Sequence, residues 1–250
     1  MSDHLEGKKI VLGISGSIAA VECVKLARKL IRHGAEVHAV MTPEAEKIVG
    51  KWAMGFATAN KVVTELTGEV EHVSLCGDVE GRADLLLISP CTANTLGKMV
   101  CAIDDTPVTT FATTAIGTGI PVVVVPAMHN TMYEHPVVKE NIEKAREMGI
   151  EIVDPVIDEK KAKMAPPDEI VDRVIRKLSG GTLSGTNVLV VTGATREKID
   201  DMRFITNRAT GVTGIEISRE AYYRGADTMI LAWVEVIGMH DILESARFSG

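Results

Sequence analysis

A doubly wound parallel α/β domain followed by a partial second α/β unit is the fold that these 250 residues predict. Two observations lead to the first domain. Short, wholly apolar runs such as DLLLISP and IPVVVVP are patterned as strands buried on both faces, and segments with apolar residues at helical spacing separate them. A third observation leads to the second unit. The cluster SGGTLSGT at 179–186 has the composition of a flexible linker, and NVLVVTGATRE after it starts a fresh strand-loop-helix-strand pattern. The expected division is therefore 1–178, a linker at 179–186, and 187–250.

In chain order, KKIVLGI from Lys8 is the first strand, and a helical stretch follows through Arg32. AEVHAVM is the second strand, with TPEAEKIVGK behind it. EVEHVSL, which carries His72, reads as a short segment of alternating apolar residues. The strand LLLIS ends at Ser89, TANTLGKMV and PVTTFATTAIG come next, and IPVVVVP is another strand. A long helical pattern spans Tyr133 to Met148, and EIVDPV follows it. Lys160, Lys161 and Lys163 fall in a loop before a helix at Pro167.

Composition excludes several classes. With 46% apolar residues the chain can bury a sizeable core, and its longest apolar runs are far shorter than the ~20 residues a bilayer requires. It reads as a cytosolic protein. The four cysteines, Cys23, Cys76, Cys91 and Cys101, show no CxxC pair or regular spacing, which argues against disulfides or zinc. A net charge of -7 argues against a general nucleic-acid binder, so an anionic ligand needs a local site.

Three strand ends could supply that site. GISGSIAA places Ser15, Gly16 and Ser17 where a helix begins, so backbone N–H groups and the helix dipole could meet a phosphate, with both serines as extra donors. It is neither a GxGxxG fingerprint nor a Walker loop, and a tight turn with a Ser cap accounts for it equally well. After Ser89, the run PCTANTLGK sets Thr92, Asn94 and Thr95 at a helix start, suited to a phosphate or a heterocycle edge, or simply to capping. VVVVPAMHNTMY ends the third strand, where Met128 could pack on a flat ring beside His129 and Asn130, or could be an ordinary core methionine. His72 is either a structural histidine or a proton-transfer group. His129 and His135, six positions apart, do not share a helix face, so no metal site is expected. The lysines at 160–163 read as solvated surface, or as local positive charge if their loop covers the cleft.

Taken together and in order, KKIVLGISGSIAA, Met41–Thr42, EHVSL, SPCTANTLGK, CAIDDTP and VPAMHNTMY resemble the homo-oligomeric flavin-containing Cys decarboxylases, and among them the phosphopantothenoylcysteine decarboxylases. The match runs from about Lys8 to Leu178. NVLVVTGATREKIDDMRFITN, from Asn187, resembles the opening of the phosphopantothenate-cysteine ligase domain that follows the decarboxylase in bifunctional coenzyme A enzymes. The KAKM and PAMH strings look closer to archaeal members.

The resemblance implies a flavodoxin-like fold, bound FMN and decarboxylation of 4′-phospho-N-pantothenoylcysteine. In that chemistry the flavin takes a hydride equivalent from the cysteine moiety, and the resulting thioaldehyde is the electron sink that lets CO2 leave as an enethiolate forms. The electrons then return to give 4′-phosphopantetheine. It also implies self-association as a homotrimer, often within a homododecamer, with FMN at a subunit interface. By matching position, Ser15, Gly16, Ser17, Thr42, Ser89, Thr92, Asn94, Thr95, Ala127 and Met128 are the flavin contacts. His72 matches the catalytic histidine, Lys163 and Met164 match an Arg-Met pair of the substrate-covering loop, and His129 or Asn130 takes the place of an asparagine that binds the substrate. The loop cysteine that acts as acid in many bacterial members has no counterpart, since no cysteine follows Cys101.

In the ligase-like segment Asn207 matches a family asparagine, but the next residues read ATGVTG and the lysine-rich CTP segment is missing after VEVIGMHDILES, so that part is expected to be incomplete and inactive alone. Two rival readings use the same residues: another flavin Cys decarboxylase or flavin prenyltransferase, and a non-catalytic FMN-binding subunit that acts by contacting other proteins.

Overall fold

The computed structural model describes residues 3–158 and 161–233. Packing divides the chain into two units, Met1–Val174 and Ile175–Gly250. In chain order the first unit begins with β1 (Lys9–Ile14), a 3-10 turn (Ile18–Glu22), α1 (Cys23–Arg32), β2 (Glu36–Met41), α2 (Pro43–Glu46), α3 (Lys51–Thr58) and α4 (Glu71–Cys76). Next come β3 (Leu85–Cys91), α5 (Ala93–Val100), α6 (Pro107–Thr118), β4 (Val122–Pro126), β5 (Met128–His129), α7 (Asn130–Tyr133) and α8 (Pro136–Glu147). β6 (Glu151–Ile152), β7 (Val156–Asp158), β8 (Lys161–Lys163) and α9 (Pro167–Leu178) follow, α9 running across the division.

The main sheet has the order β2-β1-β3-β4-β6, and every pairing in it is parallel. This is the flavodoxin-like order, in which the chain reverses direction across the sheet between β1 and β3. Both faces are covered, as the unbroken apolar runs require. Val11, Leu86, Ile88, Val122 and Val124 join Phe111 and Ala112 of α6 in one core cluster, while the alternate residues Ile10, Leu12, Leu85 and Leu87 are fully buried on the other face. α6 is sharply bounded. Thr106 and Thr109 form a reciprocal capping box, Pro107 occupies the first turn, and Gly119 ends the helix at φ 73°.

Four local expectations are corrected. EHVSL is a helix, not an alternating extended segment: the Glu71 carboxylate accepts the Thr67 N–H at 3.1 Å and its hydroxyl at 2.6 Å, closing the turn from which α4 starts. β3 runs on to Cys91 rather than stopping at Ser89. The helix expected over 133–148 is interrupted before Pro136, because the residue preceding a proline is driven out of helical geometry; His135 is extended there and caps the new helix through Val137 N–H. Finally, the lysine segment is a strand rather than a loop: β8 pairs antiparallel with both β5 and β7. Lys160 lies outside the described residues, as do those following Trp233, including the VEVIGMHDILES segment.

The second unit contains β9 (Asn187–Gly193), the hairpin β10 (Arg196–Lys198) and β11 (Phe204–Thr206), α10 (Val212–Tyr223) and β12 (Asp227–Trp233). β9 and β12 pair in parallel across α10, a single βαβ crossover. Gly214 permits the close approach, since a Cβ there would lie 2.3 Å from the Thr192 side chain. On the face alternate to the half-buried residues, Leu189, Val191, Met229 and Leu231 are each 60% exposed or more.

Candidate functional site

The loops after β1, β2 and β3 meet in a cavity of about 460 Å³ lined by Gly16, Thr42, Pro43, Glu44, Thr92, Asn94, Thr95, Lys98, Asp105, Thr106 and Thr109. It lies beyond the carboxyl ends of the strands at the reversal point, the usual ligand crevice of an open parallel sheet. Three helices begin at its wall. Thr42 accepts Ala45 N–H at 3.1 Å, Thr92 accepts Thr95 N–H at 3.2 Å, and Thr106 accepts Thr109 N–H at 3.2 Å. The starts of α5 and α6, eight and twelve residues long, are places where an anion is locally favoured.

Gly16 is fixed by packing. A Cβ at this position would fall 2.3 Å from the Glu44 Cβ, so the β1 loop can lie against the α2 turn only without a side chain. Ser15 has a different task from the one its position suggested. It is buried, its hydroxyl donates to Pro90 C=O at 2.8 Å and accepts Thr92 N–H at 3.0 Å, so its one hydroxyl proton is used inside the protein rather than offered to a phosphate. Ser17 caps the 3-10 turn by accepting Ala19 N–H at 3.4 Å.

Of the flavin contacts expected, Gly16, Thr42, Thr92, Asn94 and Thr95 come together in the cavity wall. Ser15, Ser17, Ser89, Ala127 and Met128 are not part of it. Ser89 is fully buried and donates to the Met164 sulfur at 3.4 Å, which ties the end of β3 to the residue just past β8. β8 in turn pairs Ala162 with Met128 and Lys161 with His129, so the PAMH string and the KAKM string form one small antiparallel sheet at the end of β4. Sequence reading missed Glu44, Lys98, Asp105, Thr106 and Thr109. The Thr-Pro pair at 106–107 was the signal that could have found the last helix start.

The expected catalytic groups lie outside the cavity wall. His72 packs edge-on against Phe111 with ring centroids 6.4 Å apart, and its Nδ1 is buried without a hydrogen-bond partner. Phe111 and Thr109 are two residues apart on α6 and so point to nearly opposite sides of it; His72 and the cavity lie on different sides of this helix. His129 and Asn130 differ in what they have left to offer. The His129 ring is exposed and occupied with Thr131, accepting its N–H at 3.3 Å and lying 2.9 Å from its hydroxyl, whereas Asn130 Oδ1 is buried with no partner. Lys163 is exposed at the end of β8.

Cys23, Cys76 and Cys91 are buried and Cys101 is exposed, all as free thiols. Burial pushes Cys76 and Cys91 up to about 12, and Cys23 is raised further by burial and the nearby Glu22 charge. Among the described residues no group of His, Cys, Asp and Glu side chains is placed to hold a metal ion, and no helix is long and apolar enough to cross a membrane.

Comparison with known proteins agrees with this fold. The chain is 59% identical over 230 residues to the coenzyme A biosynthesis bifunctional protein CoaBC of Thermococcus kodakarensis, covering 92% of this chain and 57% of that protein. It is 40% identical over 228 residues to the same-named protein of Methanocaldococcus jannaschii, covering 89% and 55%. The chain thus spans little more than half the length of these relatives. Among solved structures it resembles a PPC decarboxylase mutant complexed with pantothenoylaminoethenethiol, at TM-score 0.55 and 28% identity over 67% of this chain and 96% of that one. It also resembles the FMN-dependent cysteine decarboxylase SpaF, at TM-score 0.59 and 27% identity over 69% and 98%. Residues 183–241 match the model of the DNA/pantothenate metabolism flavoprotein C-terminal domain, and residues 1–179 match the flavoprotein model. With its parallel sheet, its Thr-capped crevice and this match over most of its length, the chain belongs to the flavoprotein family.

Proposed function

We propose that residues 1–178 form an FMN-dependent decarboxylase acting on 4′-phospho-N-pantothenoylcysteine, joined through 179–186 to a ligase-like unit at 187–250. The observation that carries this reading is the cavity at the β1/β3 reversal, where Gly16 lets the β1 loop lie against Glu44 and the Thr-capped starts of α5 and α6 favour an anion. Flavin mononucleotide bound there would supply a reversible two-electron sink beside the substrate's cysteine moiety.

The chain's own residues supply position and proton handling. Gly16, Thr42, Thr92, Asn94 and Thr95 hold the nucleotide in the crevice, and Ser15 keeps the β1 and β3 loops in register. Asn130, with an unspent buried Oδ1, orients the substrate, while the β5/β8 sheet carries Lys163 to the same end of the main sheet. His72 has an unspent buried Nδ1 able to hold or move a proton. Because His72 and the cavity lie on different sides of α6, the reading includes self-association, as a homotrimer or a homododecamer, in which His72 serves the cavity of a neighbouring copy. Ile18, Trp52 and Phe56, each more than three-quarters exposed, are apolar groups that such contacts would cover.

The test is anaerobic mixing of the flavin-loaded protein with phosphopantothenoylcysteine, followed at the flavin's visible band and by mass analysis of the product. Bleaching and loss of CO2 support the reading. Bound flavin with no reduction and no product would favour the non-catalytic subunit instead.

A further inference from the structure

The cavity contains one basic side chain, Lys98, which the reading above does not use. Its other ionisable wall residues, Glu44 and Asp105, are acidic, so the wall side chains sum to a net negative charge. A phosphate monoester carries about -1.5 to -2 charges near neutrality and would enter against that excess. Lys98 sits in the last turn of α5, where its Nζ lies 2.7 Å from Asp105 Oδ2. Asp105 immediately precedes Thr106, the cap of α6. The lysine is thus held beside a helix start, where an anion is favoured, by the carboxylate of the residue that precedes the cap. The lysine side chain is about a quarter exposed and the aspartate more than half, so the pair can separate into solvent at little cost.

We infer that Lys98 is the side-chain ligand of the phosphate monoester that enters this cavity, and that Asp105 is the counter-ion it leaves when the phosphate arrives. The inference rests on the cavity being the flavin site, which makes the nucleotide phosphate the expected partner; the substrate's own phosphate is the other source of the same chemistry. A charge-assisted contact of this kind is worth on the order of 10- to 100-fold in affinity.

The experiment compares binding of FMN and riboflavin to the full chain by quenching of flavin fluorescence. Lys98→Gln should weaken FMN by about 10- to 100-fold and leave riboflavin unchanged. Asp105→Asn should tighten FMN relative to riboflavin in the parent but not in Lys98→Gln, which separates release of the lysine from simple loss of repulsion. That second arm also decides the matter if Lys98→Gln alone does not fold, since an unchanged FMN preference in Asp105→Asn, with the substrate-phosphate dependence of flavin reduction also unchanged, overturns the proposal. If the flavin preference does not move but reduction of bound flavin loses its dependence on the substrate's phosphate, the lysine holds the substrate phosphate and the proposal stands with that source. Equal loss of FMN and riboflavin overturns it. As a control on the underlying reading, Asn94→Trp should exclude both flavins; if both still bind as in the parent, the cavity is not the flavin site and the inference fails with it.

Discussion

The Ser15 hydroxyl bridges the end of β1 to the end of β3, donating to Pro90 C=O at 2.8 Å and accepting Thr92 N–H at 3.0 Å. Ser15→Ala would leave a buried carbonyl without this donor and Thr92 N–H without its acceptor, at a cost of about 1–3 kcal/mol. Urea denaturation should show that loss. FMN affinity should fall as well, because Thr92 both caps α5 and lines the cavity. A variant as stable and as tightly flavinated as the parent would show that the bridge holds nothing in place.

His72→Asn should keep the yellow flavin and lose on the order of 10² to 10⁴ in the rate of flavin reduction, the usual effect of removing an acid-base group. If His72 serves a neighbouring copy, mixing this variant with the flavin-excluding Asn94→Trp under conditions that exchange subunits should restore part of the activity. Failure of the mixture, with subunit exchange demonstrated, would confine each site to one chain.

His129 and Asn130 should separate in function. Asn130→Ala is expected to slow turnover by about 10- to 100-fold with the melting temperature unchanged, since Oδ1 makes no bond within the protein. His129→Ala removes the cap of α7 and should cost about 0.5–2 kcal/mol in stability with a smaller effect on rate. The reverse pattern would return the substrate role to His129.

The loop before α4 should be acid-sensitive in a narrow window. Hydrogen bonds from the Thr67 hydroxyl and N–H, with Lys61 nearby, hold the Glu71 carboxyl at about 2 against an ordinary 4.5. The folded form is the stronger acid, so the stabilisation is complete above about 4.5 and lost as pH falls through about 2. Thr67→Val should raise the Glu71 titration seen by NMR and loosen α4 at neutral pH, reported by faster amide exchange at His72. An unmoved titration would mean that Thr67 does not set it.

For the second unit, the chain alone should release no CMP from CTP in the presence of phosphopantothenate and cysteine. Asn207 does stand beside a small cavity with Thr195, Arg196, Glu197, Ile205 and Thr206, but its Oδ1 already accepts Ala209 N–H at 3.0 Å. Release of CMP that depends on both substrates would show a working ligase.

The parallel sheet was legible in the sequence because its signal is local and repeated: DLLLISP and IPVVVVP can be buried on both faces in few other ways. The Thr92 helix start was legible as well, since a capping hydroxyl acts within its own turn, whereas Thr42 entered only through the family resemblance and Thr106 was missed. Of the segments read wrongly, EHVSL and the break before Pro136 turn on local contacts, Thr67 with Glu71 and the proline itself, whereas others depend on a partner distant in sequence. KAKM becomes a strand because Met128 and His129 offer it an edge, and nothing in the string itself announces that pairing. Ser15 looked like a free donor until the fold brought Pro90 and Thr92, about 75 residues away, against its hydroxyl. Lys98 and Asp105 likewise became a pair in the cavity wall only once α5 and α6 were packed side by side. The sequence by itself determined the class of fold, two of the strand ends that meet in the cavity, those of β1 and β3, and the family resemblance. Tertiary structure decided which hydroxyls and charges remain available there, because each buried polar group is satisfied by whatever the folded chain places next to it.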